Sequence, residues 1–488
     1  MTTSVRLHHL GTALVHPFSP SAWRNSMRLR PADALLAPAI KVGIAATLVL
    51  VTGGLLGHHQ LAAMAALGAL TSAFGRYQSY GRLGRQLAVV AAGLLMAAGV
   101  GALLGTVGTP LWLQIAVLSL IAGGAAHLFT ALGITGPGPV ILVFAASAGA
   151  GYAHSPTEIA HVIAAVGIGS LVGWVVAVAP VLVFPLGPAR LATARAIAAV
   201  GRLRKDGIAM HDDGSNSAAA KAAIANARTT IALSIRARSG QSARTAAVLR
   251  QANQLSALMD EADAALAALG TDAFAAALAN LARHEAALRT FRRAPEFAAG
   301  TAGDPRAATP ATTLRAVGRA GLVSRASLHQ ALRMAVASAL AGWVAVALGL
   351  GHPLWASMGA VATLQGLNYS ISVQRGIQRL VGNVLGALVA VALLSLSLGF
   401  WPSAAIVVLL QFAAELLVLR NYTLTTIAVT PMALIMTGLG THLGPDAAMN
   451  RVADTLVGVV LGLLVAAVSI SRSDSHHLPA ATGATRRS

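Results

Sequence analysis

A dozen apolar runs constrain this chain more than any other feature. They lie at about 35–56, 61–75, 86–106, 111–131, 138–153 and 159–184, and again at about 330–350, 354–368, 379–399, 403–419, 423–440 and 451–471. Most are long enough to cross a hydrocarbon layer of about 30 Å as a helix. Inside such a layer every backbone N–H and C=O has to be satisfied within its own segment, and a helix does that. Three runs (61–75, 138–153 and 354–368) are short, and one or two of them are expected to be re-entrant or packed inside the bundle. The reading is an all-α polytopic membrane protein with about six spans in each half.

Composition says where the chain leaves the lipid. Across 488 residues, 56% are apolar and only 10% are charged, against about 25% charged in a soluble domain. Between Leu35 and Phe184 there are four Lys or Arg and one acidic residue, whereas residues 186–329 carry 19 basic and 10 acidic ones. Such a shift marks a change of solvent. The domains expected are a tail (1–34), a first membrane part (35–185), a water-soluble helical region with its linker (186–329), a second membrane part (330–471) and a tail (472–488). Four helices are predicted in the soluble region, near 188–211, 216–238, 241–269 and 271–293, with Gly270 as a stop. Residues 294–312 read as a linker.

The net charge of +19 raises the question of nucleic acid, but aromatics are 4% and most basic residues lie beside apolar runs. A lipid surface explains the charge, and no nucleic-acid partner is expected. The loops at 57–60, 107–110, 154–158, 351–353, 400–402 and 441–450 contain no Lys or Arg. Arg76, Arg82, Arg85, Arg375, Arg379 and Arg420 are assigned to loops on the opposite side. The positive-inside rule then places both termini and residues 186–329 in the cytoplasm.

The two halves resemble each other in order. AIKVGIAATL from Ala39 parallels ALRMAVASAL from Ala331, setting Lys41 opposite Arg333. GHHQLAAMAAL from Gly57 parallels GHPLWASMGAV from Gly351, Trp112 parallels Trp401, and AAHL at 125–128 parallels AAEL at 413–416. PVILVF from Pro139 parallels PMALIM from Pro431, and Gly169 and Gly173 parallel Gly458 and Gly462. With an even number of spans in each half, these are two parallel repeats of about six transmembrane helices, with the cytoplasmic helical region between them.

Three stretches of the second half, RGIQRLVGNVLGALV (375–389), RNYTLTTIAVTPMAL (420–434) and RVADTLVGVVLG (451–462), resemble the fusaric acid resistance and aromatic acid exporter family. The resemblance covers 330–471 well and 35–185 more weakly. The first half lacks the Asn-Tyr pair and any Asp equivalent to Asp454. The resemblance implies a multi-pass protein of the bacterial inner membrane that exports small organic, chiefly aromatic, acids.

Charge within the spans is costly, about 2.5–3.5 kcal/mol per residue on insertion scales, so each instance has either a structural or a functional reason. Lys41 and Arg333 read as side chains reaching the interface, or as cations attracting a carboxylate. Glu415 and Asp454 read as members of structural pairs with Arg420 and Arg451, or as proton-carrying groups. His127 is a packing histidine or a third titrating group. The remaining candidates for substrate binding are Asn421 and Tyr422, the Asn-Tyr pair of the resembling stretch, and Thr430 and Pro431, where a proline frees a carbonyl within its helix. The Gly-x-x-x-Gly pairs at 101/105, 382/386 and 458/462 suit close helix packing. The chain has no phosphate loop, no cysteine and no metal-ligand constellation, so neither enzyme nor cofactor is expected.

Three functions follow as expectations: a proton-coupled exporter of organic anions, a passive organic-anion channel, or a membrane scaffold with a cytoplasmic partner. Membrane lipids are partners in each case, and a homo-oligomer stays open.

Overall fold

The computed structural model describes residues 11–29, 36–76, 78–206, 215–236, 242–289, 321–366, 368–439, 444 and 446–469. The expected linker at 294–312 and the tail at 472–488 lie outside them. Among the described residues the secondary structure is helical throughout, and contacts divide it into two compact units. The first unit takes in residues up to Phe74, Leu87–Ala177 and Val317 onward; the second takes in Gly75–Gln86 and Val178–Ala316. The second unit overlaps most of the stretch 186–329 and also takes in Gly75–Gln86.

In the first unit a short helix, α1 (Pro20–Met27), precedes α2 (Leu36–Leu55), α3 (His59–Ala69), α4 (Tyr80–Thr106), α5 (Leu111–Leu132), α6 (Val140–Tyr152) and α7 (Pro156–Val178). Helix α4 begins in the other unit. Among the described residues, eight helices are long and apolar enough to cross a membrane. Four are α2, α4, α5 and α7, the last extended to Leu182. The other four are α12 (Arg325–Ala347), α14 (Tyr369–Ser395), α15 (Phe400–Leu417) and α17 (Asp446–Val468). Their exposed faces are apolar, as at Leu120, Ile168, Leu388 and Leu409, each more than 60% exposed. In water such surface would be unfavourable by about 25 cal/mol per Å²; against lipid it is at home.

The other four apolar helices are short: α3, α6, α13 (Pro353–Thr363) and α16 (Tyr422–Gly438). Against the twelve expected spans, the described residues hold eight helices of crossing length, and four shorter helices fall at the other expected positions. At 1.5 Å per residue the 11-residue α13 reaches only about 16 Å, half of the hydrocarbon layer. Packing supplies what length does not. Helix α13 is almost wholly buried, between α12 and α17, and most of α16 is buried against α14 and α15. Short helices were expected at 61–75, 138–153 and 354–368; α16 is a fourth.

Small side chains set these contacts. A Cβ on Gly101 or Gly105 would strike the carbonyls of Ala146 and Ala150 on α6, and one on Gly458 would strike that of Ala356 on α13. Helix α2 packs on α15, with Gly54 against Phe400 and Trp401. Helix α12 packs on α5, where Ser119 donates to Ser338 Oγ at 3.0 Å and Trp343 Nε1 donates to the Trp112 carbonyl at 3.2 Å. Gly133, with φ +61°, ends α5 in the left-handed conformation that glycine adopts without strain.

The second unit holds α8 (Gly187–Asp206), α9 (Ser215–Ile235), α10 (Ala243–Ala267) and α11 (Asp272–Arg289), each within a few residues of its predicted position. Ile224, Ile231 and Ile235 of α9 share a buried core with Leu255, Met259 and Leu266 of α10 and Phe274, Leu278 and Leu281 of α11. Burying each is worth about 1.5–3 kcal/mol. Gly270, at φ +91°, stands at the predicted stop. Arg228 spans Asp260 and Asp263 at 2.8 and 3.0 Å, and these two carboxylates hold its guanidinium above the usual arginine value despite partial burial.

Candidate functional site: a buried arginine cluster

Helix α14 is the element that assembles the site. Asn368 caps it, accepting from the Ile371 N–H at 2.9 Å, so the helix is already regular when it reaches Arg375 and Arg379. These two arginines stand one turn apart on one face. They were assigned to a loop. The structure corrects this, placing them two and three turns into a helix, Arg379 only 9% exposed and Arg375 half-buried. Arg82 and Arg85 likewise belong to the first two turns of α4, whereas Arg420 is an exposed residue between α15 and α16.

Tyr422 faces them from the first residue of α16. Arg379 Nη1 donates to its hydroxyl at 3.2 Å, and the Arg375 guanidinium lies over its ring at 4.4 Å from the centroid. Arg375 also donates to the Ala362 carbonyl at 3.2 Å and to Gln365 Oε1 at 2.8 Å. It thus satisfies the carbonyl end of the short α13, where a cation is favoured. Gln365 passes its own N–H to the Pro137 carbonyl at 3.1 Å, which ties in the segment before α6. Gln330 donates to the Leu364 carbonyl at 2.7 Å and accepts from Arg333 at 3.3 Å. Arg333, 7% exposed, therefore stands at the edge of this network.

A third arginine comes from α17. Arg451 lies in the second turn of α17 and is 8% exposed, with its guanidinium 4.8 Å from the Trp355 ring centroid. It is near enough to Arg379 and Asp454 for both charges to act on it. Asp454 shares its helix face and is fully buried. Neither of its carboxylate oxygens has a hydrogen-bond partner among the described residues. The expected pair of Arg451 with Asp454 is thus electrostatic, without a hydrogen bond between them.

Thr430 and Pro431 serve the joint between α14 and α16. Thr430 donates to Asn383 Oδ1 at 3.0 Å, and Asn383 donates to the Arg379 carbonyl at 3.0 Å. Pro431 has no N–H for the carbonyl of Ile427, one turn back. That carbonyl faces Gly386 so closely that a Cβ there would come within 3.1 Å of it and 2.8 Å of Thr430 Cβ. Asn421 caps α16, accepting from the Thr423 N–H at 2.7 Å, and donates to the Ser26 carbonyl at 3.1 Å.

Lys41 is half-buried in α2, and Glu415, 4% exposed, lies in α15, against which α2 packs. His127 Nδ1 is 2.8 Å from Ser327 Oγ across the α5–α12 contact, the geometry of a hydrogen-bonded packing histidine.

A cavity of about 590 Å³ opens between α3, α6, α13 and α16. Gln60, Met64, Phe144, Tyr152, His352 and Trp355 are among the residues that line it. His352 stacks on Trp355 at 4.3 Å between ring centroids. Burial first, and then the charge of Arg451, hold His352 below the ordinary histidine value. Trp355 therefore touches both the cavity and Arg451. The cavity thus adjoins Arg451 through Trp355, and the charge of Arg379, which is bonded to Tyr422, reaches Arg451.

Residues 339–465 match the family model described as fusaric acid resistance protein-like. That stretch contains Trp355, Arg375, Arg379, Tyr422, Arg451 and Asp454. The chain is also similar to the uncharacterized membrane protein YvaC of Bacillus subtilis (strain 168), 26% identical over 497 residues, 90% of this chain and 74% of that protein. No solved structure matches. This is a multi-pass membrane protein with a fusaric acid resistance-like segment, and that segment holds the arginine cluster.

Arg375 and Arg379 were missed as site residues because loop bookkeeping counted them as topological charge. The signal was present in RGIQR, whose two arginines are spaced by four just before a glycine-rich apolar helix.

Proposed function

We propose that this protein is a secondary transporter that exports small organic, chiefly aromatic, acids across the bacterial inner membrane, with both termini in the cytoplasm. The observation that carries the reading is the charge balance of the cluster. Three arginines gather around Tyr422 and Trp355 with Asp454 as the neighbouring acidic group. Buried charge without a counter-charge is unfavourable by several kcal/mol, and a carboxylate entering the cluster would relieve that. Arginine's planar fork suits a carboxylate, and the Trp355 and Tyr422 rings suit an aromatic body. The match to the fusaric acid resistance protein-like model supports the same class of substrate.

Proton coupling is assigned to Asp454. When ionised it competes with the substrate for Arg451; when protonated it leaves Arg451 to the substrate. Glu415 is the other buried acidic group within the helices of this half and is a candidate for a further proton step. The cavity lined by His352 and Trp355 serves as the vestibule on the outer side. The two halves act as parallel repeats, a reading supported by the reciprocal packing of α2 on α15 and α12 on α5.

The test is binding of a panel of aromatic carboxylates, benzoate, salicylate and fusaric acid, to the purified protein, with benzamide as the uncharged control. Saturable binding of the acids and none of the amide is expected. Equal binding of acid and amide would contradict a site built on arginine.

A further inference from the structure

We propose that α1 carries a binding site for the phosphate headgroup of an anionic phospholipid. The helix is held in one orientation. Its inner face is Ala22 and Ser26, both buried, with Ser26 Oγ donating to the Ala22 carbonyl at 2.7 Å. The Ser26 carbonyl accepts from Gln378 at 2.7 Å and from Asn421 at 3.1 Å, and the Ala13 carbonyl accepts from the Tyr369 hydroxyl. Every other residue of α1 is exposed.

The outward side has two neighbouring strips. Trp23 and Met27 stand one turn apart, as do Arg24 and Arg28 beside them. Phe18 and Leu29, 82% and 63% exposed, extend the apolar strip at either end. A shallow depression of about 510 Å³ is lined by Ser21, Arg24, Asn25, Met27 and Arg28. It therefore offers two guanidinium groups with hydroxyl and amide donors beside them, which suits a phosphate. Apolar and cationic residues side by side are what an interfacial helix presents to an anionic bilayer. The first 32 residues include four arginines and no Asp or Glu, so no acidic residue of that stretch competes for these cations. Helix α2, a candidate span, begins at Leu36. Eight residues from Arg28 reach at most about 29 Å, which keeps α1 near the bilayer surface.

The consequence for the arginine cluster rests on the proposed function. Gln378 precedes Arg379 and Asn421 precedes Tyr422, so the two side chains that hold α1 adjoin two residues of the cluster. A lipid that steadies α1 also steadies Arg379 and Tyr422.

The test is hydrogen–deuterium exchange of the full chain in nanodiscs of phosphatidylcholine with increasing phosphatidylglycerol. Phosphatidylglycerol is expected to slow exchange in residues 20–28. In Arg24→Gln/Arg28→Gln the concentration for half-protection should rise about thirty-fold, and the lipid-dependent protection around Arg379 and Tyr422 should shift with it. Arg24→Lys/Arg28→Lys should keep the protection. Arg379→Gln, which disables the proposed transport site, should keep it too, so the two proposals fail separately. Undiminished protection of the glutamine variant would overturn the lipid site. Equal protection by soluble glycerol phosphate in pure phosphatidylcholine would also overturn it, in favour of a free-anion site.

Discussion

Arg379 donates to the Tyr422 hydroxyl at 3.2 Å while Arg375, one turn earlier, lies over the same ring at 4.4 Å. The first residue of one helix thereby organises two cations of its neighbour. The arrangement depends on how closely α14 and α16 approach, which Gly382 and Gly386 permit against Thr426 and Thr430.

Replacing Gly386 with Leu is therefore expected to separate the helices. Overpacking of this kind costs about 1–3 kcal/mol, and the shift would carry Arg379 away from Tyr422. Thermal unfolding in detergent should show a lowered midpoint, and binding of benzoate should weaken. Gly386→Ala should show the same effects in smaller measure. An unchanged midpoint and unchanged binding in Gly386→Leu would mean that the close approach is dispensable.

Asp454→Asn removes the rival carboxylate but keeps its volume. Benzoate should bind more tightly to this variant at neutral pH, and the pH dependence of affinity between pH 5 and pH 8 should flatten. In the native protein affinity should rise as pH falls. Were the variant to keep the native pH profile, proton coupling would have to be sought elsewhere, with Glu415 next.

His352 gives a pH effect of its own. Burial and Arg451 depress its folded value below the ordinary histidine value of about 6.5, so the unfolded chain takes up the proton first. The stabilisation it contributes is fully present above about pH 6.5 and is lost as pH falls through the depressed folded value. Unfolding midpoints followed from pH 7.5 to pH 5 should drop more steeply in the native protein than in His352→Gln. Parallel curves would remove His352 from the account.

Much of the fold could be read in the sequence, because lipid enforces a simple rule. Runs such as 86–106 and 111–131 are apolar on every side, and they appear as α4 and α5. Length was less legible. Residues 354–368 read as a short span, yet whether α13 is a half-length buried helix depends on α12 and α17 packing over it, which one segment does not reveal. The site was legible in part. Tyr422 and Asp454 drew attention because a polar group inside an apolar run needs a reason, and both stand at the cluster. Arg375 and Arg379 did not, because a run's apparent edge at residue 379 hid the two turns of helix before it. Trp355 carries no charge to mark it, and only the fold sets its ring beside Arg451.

The membrane orientation rests on loops without Lys or Arg and is open to direct measurement. The chain has no cysteine, so single cysteines at Asn216 and Val107 report without background. Asn216 should be labelled by a membrane-impermeant thiol reagent only after the cells are opened, and Val107 in intact cells. The reverse pattern would invert the proposed direction of transport.

The central claim is that Arg379 binds the carboxylate of the transported acid, and flux measures it most directly. Proteoliposomes loaded with radiolabelled benzoate should release it faster than protein-free vesicles, with saturation and with competition by salicylate. Arg379→Gln should lose most of that flux, Arg379→Lys should retain a part because charge is kept without the planar fork, and both should unfold near the native midpoint. Saturable native flux that Arg379→Gln leaves intact would contradict the account.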